Sequence, residues 1–205
     1  MSGISDVIPV TITADTVALD ADGISVATSV GNNAALVIGG ALADGGSVTL
    51  SHGRIVTILS AGNDSAKSFT VTGTDINGDA QVESITGANA GTATGAVYFK
   101  TISGISAVGN PAGNVSAGVN ASAADVIFTM RSRLKGMFLT STATAGEVDF
   151  LTTSPTGTSI MQLSSVGDAD ATRDVTIPDQ GVVFTDGIYI QYTVSTFLTM
   201  TVFHA

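Results

Sequence analysis

A chain of 205 residues with 17 acids, 7 bases and no cysteine has room for one large domain or two small ones. Its formal charge of −10 opposes phosphate backbones and anionic lipid, so neither nucleic acid nor membrane is expected as a partner. Absence of cysteine removes disulfides, thiolate nucleophiles and zinc sites built on sulfur.

Charged residues make up only 12% of the chain, and 28 threonines and 21 serines fill the polar positions instead. Threonine, valine and isoleucine are already restricted at χ1 and suit a pleated, half-buried surface. The start, Met1-Ser2-Gly3-Ile4-Ser5-Asp6, has neither the basic nor the apolar region of a signal peptide. No apolar run reaches the ~18 residues of a membrane span. The expectation is a soluble chain synthesised in the cytoplasm.

Alternating segments predict strands in chain order at 8–13, 35–38, 47–50, 54–60, 68–72, 80–86 and 97–102. Further ones follow at 113–119, 125–131, 136–140, 147–152, 159–163, 173–177, 188–194 and 197–204. In 68–72, Phe69 and Val71 share one face and hydroxyls the other; near the end, Ile188, Ile190, Tyr192 and Val194 share a face. Turn pairs punctuate the series: Asp22-Gly23, Asn32-Asn33, Asp44-Gly45, Asn77-Gly78, Asn110-Pro111 and Asp186-Gly187. Many short strands so divided predict an all-β chain of antiparallel sandwich or jelly-roll type, with little or no helix.

Residues 107–124 are rich in Ala, Gly and Asn, and an apolar run opens at Val126. Two β-sandwich domains in tandem are therefore expected, with a single elongated sandwich as the alternative. One would cover 1–125, with an extended N-terminal arm at about 1–10, and the other 126–205.

Chemistry-bearing motifs are few. Asp75-Ile76-Asn77-Gly78-Asp79 starts like a calcium loop, but the sixth and twelfth positions hold Ala80 and Thr86 where such a loop needs Gly and Glu. A hairpin turn at Asn77-Gly78 is the reading adopted, and Asp20-Ala21-Asp22-Gly23 reads as a surface turn too. Histidines occur only at 52 and 204, and glutamates only at 83 and 147. No nucleophile elbow or phosphate-cradling loop is present. No catalytic residue, cofactor or metal is expected, and the chain does not read as an enzyme.

One cluster stands out. Arg131, Arg133 and Lys135 fall within five residues of a chain with seven bases, and at strand spacing all three point to one face. They form either a solvated strip or a docking stripe for an acidic partner.

Segment 54–119 carries SFTVTGTD, then the hairpin NGD, then ESITGANAGTATGAVYFKTISGISA, then AGNVSAGV. It resembles a β module common in structural proteins of tailed bacteriophages. The tail, GVVFTDGIYIQYTVSTFLTMTVFHA, is similar to the closing hairpin of small phage head-associated β domains. The resemblance implies a virion protein on the capsid exterior, nearest in role to a capsid decoration (cement) protein. Such a protein would bind the major capsid protein, bridge capsomers and form homotrimers. It carries over no set of functional residues. The alternative is a head or tail fibre module recognising a host glycan. No Trp and only three Tyr weigh against that alternative.

Overall fold

Alternation between apolar and hydroxyl-bearing residues makes strands along most of the chain. The computed structural model describes residues 6–205, and these form fifteen strands and no helix. In chain order they are β1 (Ile8–Thr13), β2 (Asp20–Ser29), β3 (Ala43–Asp44), β4 (Ser47–Ser60), β5 (Ser68–Thr74), β6 (Ala80–Thr86), β7 (Thr92–Val108) and β8 (Asn114–Phe128). Then come β9 (Ser132–Ser141), β10 (Ala145–Thr152), β11 (Thr158–Val166), β12 (Thr172–Thr176), β13 (Val182–Phe184), β14 (Ile188–Thr193) and β15 (Phe197–His204). The architecture is all-β and antiparallel. Two compact units divide it: an inserted unit, Val17–Ser122, and a split unit made of 6–16 with 123–205.

In the inserted unit β8, β4, β7, β5 and β6 lie side by side, with β2 added to β8 and β3 to β4. Strands β4, β7 and β8 are long, at 14, 17 and 15 residues. The β4–β7 register shifts between Thr49 and Arg54 and again between Ile55 and Thr57. Such bulges bend a strand and increase its twist, and this sheet surrounds a core of its own. Ile58, Phe69, Phe99 and Ile102 are fully buried in it. Side chains close one seam: Glu83 on β6 accepts from the Ala96 N–H of β7, and the Gln81 amide donates to the Tyr98 carbonyl at 2.8 Å.

The split unit has two sheets, β1-β15-β9-β12 with β13 also on β9, and β11-β10-β14-β8. Ile12, Leu134, Met137, Phe184, Phe197 and Met200 come from the first sheet, and Ile127, Val148, Phe150, Leu163 and Ile190 from the second. One core between two sheets is the sandwich arrangement.

Several expectations change. The arm expected at about 1–10 lies partly outside the described residues. Within them, Ile8–Thr13 pairs antiparallel with β15, from Ile8↔His204 to Thr13↔Thr199, and so belongs with the second half of the chain. The units part at 16/17 and 122/123, whereas the composition pointed to 125/126. The Ala/Gly-rich stretch is mostly β8, a central strand, and the chain passes between units inside it. Its residues are small because neighbours press close. A Cβ on Gly118 would lie 1.8 Å from the Asp20 carbonyl oxygen, and Ala117 and Ala123 are fully buried. Segment 35–38 is not a strand; only Ala35 bridges to Ser106.

A candidate docking face on β9

The basic cluster lies where β9 begins. Leu134 points into the core at 0% exposure, while its neighbours Arg133 and Lys135 point outward and are half-buried. Val183 on β13 pairs with Arg133, and Phe138, 40% exposed, continues the outer face. Arg131 stands in the bend before the strand and is exposed. Only Arg133 and Lys135 therefore share a strand face in the way the spacing suggested; Arg131 flanks them. The physical reason is that pairing of β9 with β13 starts at Ser132↔Phe184, which leaves Arg131 outside the ladder.

Both stripe side chains lean over the loop at 178–181. Arg133 Nη1 donates to the Gln180 carbonyl at 3.2 Å, and Lys135 Nζ donates to the Asp179 carbonyl at 3.3 Å. Neither forms an ion pair among the described residues. A guanidinium so placed keeps donors for an incoming carboxylate, which it can grip bidentately; an ammonium acts as a point charge.

The remaining candidate sites resolve into structural roles. Asp75 Oδ1 accepts from the backbone N–H groups of Asn77 and Asp79 at 2.8 and 2.9 Å, and Gly78 takes φ +91°. This carboxylate closes its own turn. Asp20 Oδ1 accepts from Asp22 N at 3.2 Å. Among the described residues no group of three or more His, Asp or Glu could hold a metal ion.

His204 is buried, its Nδ1 3.0 Å from the Ser132 hydroxyl, and that hydroxyl also donates to the Ala205 carbonyl at 3.1 Å. The imidazole packs on the Phe128 ring with centroids 4.8 Å apart. Burial lowers its pKa from the ordinary value of 6.5. Tyr192 donates to Asp125 Oδ2 at 3.0 Å and accepts from Asp15 N at 3.2 Å. Burial first, then the Asp125 charge, raises the phenol well above its usual range.

Two features had weak signals in the sequence. Arg54 is fully buried, with Nη1 donating to the Val17 carbonyl at 2.9 Å and Nη2 to the Asn120 carbonyl. A lone base at the head of the apolar run Ile55-Val56 was its only mark. Asp149, beside Glu147 on the outer face of β10, was marked by the Glu-Val-Asp-Phe alternation.

Compared with family models, with curated proteins and with solved structures, the chain matches none.

Proposed function

We propose that this chain is a structural protein of a tailed-phage virion that binds the outside of the assembled head and stabilises it by bridging capsomers. The observation that carries this reading is the outward Arg133–Lys135 face, flanked by Arg131. In a chain of net charge −10, most of the surface repels an acidic partner, and this is the one run of clustered bases in the sequence. Paired charges across an interface raise the on-rate and fix register.

The phage-like segments at 54–119 and 181–205 supply the virion context. A rigid antiparallel scaffold suits a protein whose work is to stay bound. Its mechanism is mass action. A protein that binds only the assembled lattice stabilises it by RT ln(1 + [L]/Kd) per site, about 2.7 kcal/mol at a hundredfold excess over Kd. Within this reading the chain has two partners, the major capsid protein and its own copies, and assembly as a homotrimer follows from the family resemblance.

Electron microscopy of the virion tests it. Density for this chain on the head exterior, at junctions between capsomers, is the expected result. Density on the tail, or none on the particle, overturns the reading.

A further inference from the structure

The two outer faces of the split unit carry opposite charge at equal spacing. Arg133 and Lys135 flank Leu134 on β9, and Glu147 and Asp149 flank Val148 on β10. Leu134 and Val148 are both fully buried in the single core between the two sheets. The two charged pairs therefore point away from that core on opposite surfaces. Outward residues two apart on a strand are separated by about 6.6–6.8 Å, so the pairs match in span.

The carboxylates are held ready. The Gln162 amide donates to Glu147 Oε2 at 2.9 Å and to Asp149 Oδ1 at 3.2 Å, and the Ser159 hydroxyl donates to Asp149 Oδ1 at 3.0 Å. Neither carboxylate is ion-paired among the described residues, and neither base across the unit is. Each surface also holds charge of the other sign, and on the basic side Asp179 lies in the loop under Lys135. Asp174 pairs with Phe138 on the basic side, and Arg173 donates to the Ser164 carbonyl on β11, where Ser164 pairs with Glu147.

We infer that the partner of the Arg133–Lys135 face is a second copy of this chain, presenting its Glu147–Asp149 face. The inference rests on reading the basic face as a docking surface and names what docks there. Two cations and two anions at one spacing can pair simultaneously, and the Arg133 fork suits a carboxylate. The contact uses a different surface on each copy, so every bound copy still offers one face of each sign. Head-to-tail contacts of this kind close into a ring or continue as a chain, according to the rotation between neighbours.

Light scattering of the purified full chain over a wide concentration range tests it with three variants. The wild type should exceed the monomer mass of 20.4 kDa at low ionic strength, and lose mass as salt is added. Arg133→Glu with Lys135→Glu, and separately Glu147→Lys with Asp149→Lys, should each weaken self-association about a hundredfold. The chain with all four reversals has its complementarity inverted but intact, and should recover the wild-type mass. A wild type that stays at the monomer mass throughout overturns the inference, as does a fourfold variant no better than the double variants. Either failure concerns the free protein only. The placement of the chain on the head is judged separately, by microscopy.

Discussion

Arginine serves opposite purposes in the two units. In the inserted unit Arg54 is fully buried, and its guanidinium joins the carbonyls of Val17 and Asn120, residues close to where the chain enters and leaves that unit. In the split unit Arg133 lies on an outer sheet face and spends one donor on a loop carbonyl. The first side chain is held inside by backbone acceptors and works on stability. The second is presented to solvent beside another base and is available to a partner. A charge cluster on a strand face thus signals presentation, and a lone charge within an apolar strand signals burial.

The units also differ in how chain continuity maps onto structure, and the largest expected effect follows from that. The split unit needs β1, which pairs with β15 and contributes Ile12 to the core, and it needs Ala123, also in that core. A fragment of 126–205 lacks all of these and exposes a β15 edge with unpaired backbone groups. It should give a poorly dispersed proton NMR spectrum. Residues 6–16 joined by a short Gly/Ser linker to 123–205 should give a dispersed one. Good dispersion from the shorter fragment would show that β1 is dispensable.

Next comes Arg54→Met, which removes a buried charge and leaves two backbone carbonyls without these donors. The expected loss is about 3–5 kcal/mol in urea unfolding. Arg131→Ala, at an exposed bend, should leave the unfolding midpoint unchanged. Equal effects from the two substitutions would erase the contrast between buried and presented arginine.

A smaller effect is expected from His204 in the split unit. Burial lowers its folded-state pKa below the unfolded value of 6.5, so below that pH the unfolded chain binds the extra proton first. The stability contributed by the neutral ring is complete above about pH 6.5 and is lost as pH falls through the folded value. Urea midpoints measured from pH 8 to pH 5 should therefore fall more steeply for the wild type than for His204→Gln. Parallel slopes would mean that His204 does not carry this part of the acid response.

Period-two alternation was enough to locate β1, β6 and β15 to the residue, because each keeps one register along its length or shifts only near an end. It failed at β2. That strand shifts register against β8 between Asp20 and Ser25 and again between Ser25 and Thr28, so its buried residues, Ile24 among them, do not alternate, and Asp22-Gly23 looks like a turn. Strand β13 is three residues long, too short for any pattern. The composition of β8 looks like a linker because a strand packed against the Asp20 carbonyl has no room for side chains at Gly118.

The basic cluster was legible because its bases are neighbours in sequence. Its counterpart on β10 and the carbonyl partners of Arg54 were not. Arg54 and its acceptors are 37 and 66 positions apart, and that β9 and β10 turn their charged faces away from one shared core is a relation only the folded sheets show.

The central claim is that occupancy of the lattice depends on the basic face at Arg131, Arg133 and Lys135. Its most direct test is binding of Arg131→Glu with Arg133→Glu to undecorated heads at two ionic strengths, with circular dichroism as the folding control. Arg131 is exposed and Arg133 half-buried, so the charges remain within reach of salt, whose screening length is about 10 Å at 0.1 M. The account predicts an intact β spectrum, a large loss of occupancy at low salt, and a smaller difference from wild type at high salt. Wild-type occupancy at low salt, with the fold intact, would contradict it and leave the stripe a solvated face.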